Sequence, residues 1–576
     1  MAGTTRRGLV TQGGLTALGA ALIATAALQA CGDDGQTTST QSTSTQGAGG
    51  QGAGGGGMGG DLFPAGSGGG TPQGPFADFP AEPVLDTPEG GEPPPANTPD
   101  LFGPAGSGNA AGPCLIEPVI GTLYPNNWLR PRFRFTPDPG QNLFEIRITA
   151  PNQTNPLVVY TTSPTWTMPK AMWDGLVAHS QDVPLTVTVR GATLSGGMLS
   201  AGPTVGSTGD VRIAPVAAPG TIVYWRTNQQ NNSGELKGFK PGDENVGDVL
   251  KAEQVAYTAP NGAKTTCIGC HTSTPDGKYA GVRTLNGYSG NVLASIEAGS
   301  TGQRPGYWTD AAAQSSISGG IGIPAFSKGH WKDGDRVMIS TLGNSTEAKL
   351  VWFDLEATAS GEGMSFGYIA RDGDMRGAIM PSFSKKGDLI VYTSTSVSVD
   401  GRPANGETDV FSVPYADRKG GPATGIPGAS DPAFSEYYAS LSPNDALVAF
   451  DRIPAGANTY DQAAAEVFVV PTGGGEPVRL AANDPPACSG EKSPGVTNSW
   501  PKWAPEVSVV GDRTFYWLAF SSKRAGGIPQ LYVTPVVVQN GQTQTFPALY
   551  LWNQPANEAN HTPAWDVFDI PPVPPK

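Results

Sequence analysis

The chain has 576 residues, more than the roughly 100 to 200 typical of one domain, so several folded units are expected. Its formal net charge of -14, from 36 Lys and Arg against 50 Asp and Glu, leaves no basic run to meet a phosphate backbone and argues against a nucleic-acid partner. Gly (79) and Pro (54) are both abundant, and much of that excess falls in one N-terminal stretch that cannot build a core.

Residues 1 to 30 read as an export signal: Arg6 and Arg7 precede the short apolar run "LTALGAALIATAAL", too short to span a bilayer comfortably. "LQAC", ending at Cys31, resembles the lipobox of bacterial lipoproteins. That resemblance implies a lipidated Cys31 as the mature N-terminus and anchoring in the cell envelope, most simply at the outer membrane. The alternative is an ordinary secretory signal with an incidental cysteine. Residues 31 to 113 read as a disordered tether of Gly, Ser, Thr and Pro, a coil of about 80 residues with a reach on the order of 50 Å.

From 114 to 218, short alternating segments such as "RFRF", "FEIRITA", "LVVYTT" and "PLTVTVRG" are separated by turns such as "PDPGQN". Alternation buries one face of each strand, the pattern of a small β-sandwich, and it resembles an immunoglobulin-like or fibronectin-like module.

Residues 219 to 576 repeat. "IPAFSKGHWKDGDRVMIS", "MPSFSKKGDLIVYTS", "YASLSPNDALVAFDR", "WPKWAPEVSVVGDRTFYWLAFSS" and "TPAWDVF" share a strand opening, and the intervals between Pro324, Pro381, Ala439, Pro501 and Pro563 are 57, 58, 62 and 62 residues. Such a period is that of propeller blades. These segments resemble the TolB-like repeat, which implies an all-β propeller of six blades, with seven as the alternative. The last copy stops after one strand, and the orphan "GTIVYWRT" from Gly220 would complete it from the other end of the chain. On this alignment Cys270, Ile323, Met380, Tyr438, Trp500 and Thr562 ring one mouth of the channel.

Cys267, Cys270 and His271, in "KTTCIGCHTSTPDGKYAGV", have the C-x-x-C-H spacing of c-type haem attachment: two thioethers and an axial imidazole. The motif opens the first blade, in an exported chain. A disulfide between Cys267 and Cys270 is the alternative; a zinc site lacks a second ligand pair. Candidates for the sixth iron ligand are Met380, His561 and His330, each equally readable as core or loop filler. Cys114 and Cys488 form a disulfide or stay separate thiols.

The expected function is electron transfer or redox sensing outside the cytoplasm, by a lipid-anchored haem c protein with a redox partner. The alternative is a binding lipoprotein whose propeller recognises a protein or glycan. No hydrolase or nucleotide motif is present, so catalysis is not expected beyond an open-site haem peroxidase.

Overall fold

The computed structural model describes residues 74 to 573, apart from 105–111, 229–232, 256, 258–261, 263, 286–288, 321, 344, 400–401 and 405. The expected export signal and Cys31 lie outside the described residues. No described helix is long and apolar enough to cross a membrane.

The sandwich lays one sheet of β1 (Val84–Leu85), β6 (Leu157–Thr161), β5 (Leu143–Thr149), β8 (Leu185–Ser195), β9 (Met198–Ile213) and β3 (Leu123–Tyr124) beside a second of β2 (Cys114–Glu117), β4 (Arg132–Thr136) and β7 (Thr165–Thr167). The strands read from alternation are found with ends moved by a few residues. The helix Lys170–His179 is an addition: Trp173 and Leu176, three apart, bury one side of it.

The tether expected up to residue 113 ends earlier, because residues 74 to 104 belong to the fold. Phe79 and Phe102 are buried, β1 pairs in parallel with β6, and Phe76 stacks on His179 at 4.1 Å while Asp78 meets the same ring at 3.0 Å. Composition averaged over the stretch hid these spaced aromatic anchors, each of which contributes enough buried area to offset local ordering.

The remainder is a β-propeller. One sheet holds Ala325–Phe326, Val337–Leu342, Lys349–Asp354 and Phe366–Tyr368; the next holds Gly377–Phe383, Leu389–Thr395, Thr408–Pro414 and Thr424–Gly425. A third holds Phe434–Leu441, Leu447–Pro454, Glu466–Pro471 and Val478–Arg479, and a fourth Ser499–Trp503, Arg513–Ser522 and Gln530–Gln539 with three short strands, Ser508–Val510, Gln542–Thr545 and Leu549–Tyr550. Before them come β13 (Cys267–Ser273), β14 (Tyr279–Leu285) and β15 (Gly290–Ser295), preceded by β10 (Thr221–Asn228), β11 (Ser233–Phe239) and β12 (Gly247–Leu250).

The strand Ala559–Asp566 pairs with β10, with Ile222 opposite Trp565 and Val223 opposite Ala564. The first strands touch in a cycle: β13 meets Ala325–Phe326, each later first strand meets the next, and Ala559–Asp566 returns to β13. The two ends of the repeat region are therefore joined edge to edge.

Sandwich and propeller share a core. Phe133, Trp173 and Ile213 belong to the same buried cluster as Ile222, Trp517, Leu549 and Trp565. Arg513 pairs with Asp182 at 2.6 Å, and Cys114 of β2 is disulfide-bonded to Cys488 of the propeller.

Candidate functional site

Five of the six ring positions share an unusual backbone. Cys270, Met380, Tyr438, Trp500 and Thr562 have φ of 40°, 51°, 55°, 61° and 48°. Each sits where its strand slips register against its neighbour, so each is the extra residue of a β-bulge. A left-handed conformation costs a non-glycine residue roughly 1–2 kcal/mol, so it persists only where surrounding packing fixes it. Proline follows several of these residues because a bulge leaves its missing N–H without consequence. Ile323 departs from the pattern, since its strand begins only at Ala325.

The ring does not form an open mouth. Its members are buried, and Tyr438 and Trp500 stack at 3.7 Å, which fills the channel at this level. The residues that follow them line a funnel of about 180 Å3 to which every first strand contributes. Lys502, Asp566, His271, Lys328 and Lys385 stand in its wall.

His271 is buried, and its Nε2 lies 3.1 Å from the Val223 carbonyl. A carbonyl only accepts, so Nε2 carries the proton and the lone pair is on Nδ1, which has no partner among the described residues. Loss of solvent pushes the imidazole pKa down to about 4, against the Val223 hydrogen bond and with help from the Lys502 charge.

Lys502 has no ion pair or hydrogen-bonded partner among the described residues. Desolvation lowers its ammonium pKa to about 8, opposed by Asp451 and Asp566, while burial raises the Asp566 carboxyl to about 6. Asp451 is fully buried and pushed up by desolvation, opposed by hydrogen bonds from Ser499 Oγ and the Trp500 backbone N–H.

These axial charges were missed in the sequence, although a signal existed. Two residues after each ring position stand Thr272, Ala325, Ser382, Ser440 and Ala564; only the fifth copy has a lysine there, Lys502.

The haem motif can be tested against this geometry. Cys267 pairs with Leu285 and His271 with Val282, three residues apart on β14, because the bulge at Cys270 shifts the register by one. Side chains alternate along a strand, so Cys267 and His271 leave opposite faces of β13. Both lie within a strand hydrogen-bonded to β14, the adjacent funnel holds about 180 Å3, and sites that enclose small organic ligands have roughly 300–1,000 Å3. A porphyrin bonded to Cys267 and ligated by His271 would have to pass through the strand. The residues as folded do not fit a c-type haem.

The alternative staple is also not formed: Cys267 is a buried free thiol, its pKa pushed up to about 12 by desolvation, so the two motif cysteines are not bonded to each other.

The candidate sixth ligands are scattered. Met380 belongs to the ring. His330 is held outside it by Asp335 at 3.1 Å and the Gly387 carbonyl at 2.9 Å. His561 has Nδ1 2.8 Å from the Thr562 hydroxyl and packs edge-on to Trp225. No cluster of three metal-ligating side chains occurs among the described residues.

The fold defines a β-propeller with a docked β-sandwich and a charged axial funnel. Among solved structures, the chain is similar to a TolB from Agrobacterium tumefaciens (11% identity, 59% of this chain and 97% of that one, TM-score 0.30). It is also similar to Kuenenia stuttgartiensis hydrazine synthase (13%, 50% and 70%, TM-score 0.28) and to prolyl oligopeptidase B from Galerina marginata (13%, 56% and 42%, TM-score 0.28). No protein-family description matches the sequence, and no curated protein matches it.

Proposed function

We propose that this is an exported binding protein, anchored through lipidated Cys31 to the outer membrane, whose six-bladed propeller recognises an acidic segment of a partner protein at its axial funnel. Support for six blades is that Ala559–Asp566 pairs with β10, which with β11 and β12 can be counted as one blade completed by both ends of the repeat region. The observation that carries the reading is Lys502, which among the described residues has no ion pair within 4 Å and shares the funnel with Lys328, Lys385 and one carboxylate, Asp566. A local positive funnel on a chain of net charge -14 favours an acidic ligand there and repels it elsewhere.

The test is fluorescence anisotropy with peptides rich in Asp and Glu and with their Asn and Gln counterparts. Acidic peptides should bind with an affinity that falls as salt rises. Lys502→Met, and separately Lys328→Glu with Lys385→Glu, should weaken binding about tenfold or more. Equal binding of the neutral peptides, or variants that bind like the parent, would reject the funnel. Cys31→Ser should move the protein from the membrane fraction to the soluble one; unchanged fractionation would reject the anchor.

A second reading, a haem c electron carrier, keeps its motive in the C-x-x-C-H spacing of an exported chain, and it requires Cys267 to His271 to leave the blade. A Soret band with an intact mass one haem above the bare mature chain, after expression with haem-attachment machinery, would put that reading first.

A further inference from the structure

A second cavity, of about 580 Å3, lies between the sandwich and the propeller, away from the funnel. Sites for small organic molecules have about this size and favour such junctions. Its sandwich wall carries Glu117, Arg132 and Arg134, and its propeller wall carries Tyr532, Tyr550 and Trp552. The loop around Cys488 forms part of the rim and is tied to β2 by the disulfide to Cys114.

The polar groups are arranged around apolar surfaces. Glu117 accepts from Arg132 at 2.7 Å and from Arg134 Nε at 2.8 Å, and Arg132 lies over the rings of Tyr550 and Trp552 at 5.5 and 5.9 Å. One carboxylate thus faces two guanidinium groups, leaving this wall one positive charge in excess, and the other charged lining residues, Glu491 and Arg524, offset each other. The terminal nitrogens of Arg134 have no partner among the described residues, and its side chain is 40% exposed. The hydroxyls of Tyr124, on the sandwich side, and of Tyr532, on the propeller side, make no hydrogen bond among the described residues, although both residues are buried. Burial raises both phenol pKa values, so these hydroxyls stay protonated and able to donate.

An occupant of this cavity needs an anionic group for Arg134, hydroxyl-type partners for Tyr124, Tyr532 and the Glu117 to Arg132 pair, and apolar faces for the aromatic rings. A pyranose ring with a carboxylate has all three. A hydrocarbon would leave the tyrosine hydroxyls and the terminal nitrogens of Arg134 unpaired, and a simple aromatic acid would satisfy the arginine and the rings but leave the tyrosine hydroxyls unpaired. We propose that the junction of sandwich and propeller is a binding site for a short acidic sugar, one or two uronic-acid rings.

The experiment is calorimetry on the full mature chain with digalacturonate, with maltose as the neutral sugar and benzoate as the aromatic acid. Digalacturonate should bind, and maltose and benzoate should each bind at least about tenfold more weakly. Arg134→Gln should weaken digalacturonate about tenfold or more and erase its advantage over maltose. Tyr532→Phe removes only a hydroxyl without a protein partner, so it should weaken binding severalfold while melting like the parent. No digalacturonate binding at about 10 mM, equal binding of maltose or benzoate, or variants that bind like the parent would each overturn the proposal. Lys502→Met should leave this binding unchanged, so the cavity and the funnel fail or stand separately.

Discussion

The bond between Cys114 and Cys488 carries a prediction whose size follows from the chain. It closes a loop across a sequence separation of 374 residues, with Cα atoms 5.6 Å apart. In the chain-entropy account, a cross-link over a loop this long removes about 6 kcal/mol of freedom from the unfolded state. That figure is a ceiling, because residual structure in the unfolded chain reduces the entropy the bond removes, and the core shared with Ile222, Trp517 and Trp565 together with the Asp182 to Arg513 pair holds the sandwich in place without the bond. The double substitution Cys114→Ser with Cys488→Ser should therefore lower stability by about 2–5 kcal/mol without abolishing the fold. Guanidinium unfolding of the parent and the double variant, followed by tryptophan fluorescence, measures the loss. The loop around Cys488 should become sensitive to protease at the same time, since the bond ties it to β2. A loss below about 1 kcal/mol with unchanged proteolysis would refute the reasoning that this bond restrains two units otherwise free to separate on unfolding.

Trp565→Ala tests the closure of the ring: Trp565 is buried opposite Ile222 and donates to the Pro219 carbonyl at 2.7 Å, so the change should cost about 3–5 kcal/mol and lower one cooperative melting transition, whereas a small early loss confined to the C-terminus would count against closure. His271→Gln tests the buried imidazole: the unfolded chain takes up a proton below about pH 6.5 and the folded chain only near pH 4, so the parent should lose up to about 3 kcal/mol between those values. The glutamine variant keeps an N–H for Val223 and should lack that share of the acid loss in denaturation midpoints at pH 7 and 4.5; identical losses would show that His271 is not held neutral.

The repeat was legible because a propeller writes its geometry locally. A bulge residue, a following proline or small residue and a polar turn recur at most strand openings, and the intervals mark Met380, Tyr438, Trp500 and Thr562 from the sequence alone. The orphan segment around Val223 was equally legible, since a truncated last copy needs a strand from elsewhere. The anchors Phe76, Phe79 and Phe102 escaped because each is an isolated aromatic in a stretch rich in Pro, Gly and acidic residues, and the helix Lys170–His179 because it is a single ten-residue element among strands, with only Trp173 and Leu176 buried.

Spacing along the chain brought Cys267, Cys270 and His271 together as a motif, and composition set the acidic charge and the low-complexity stretch that precedes residue 74. Tertiary structure decided what the motif can reach. A one-residue shift at the Cys270 bulge turns His271 away from the face of Cys267, and no count of intervening residues reveals it. Only the folded chain brings Lys502 beside Asp566 and sets Arg134 across a cavity from Tyr532, because these pairs come from strands or units far apart in sequence. Burial then gives their charges and hydroxyls a strength that they lack in water.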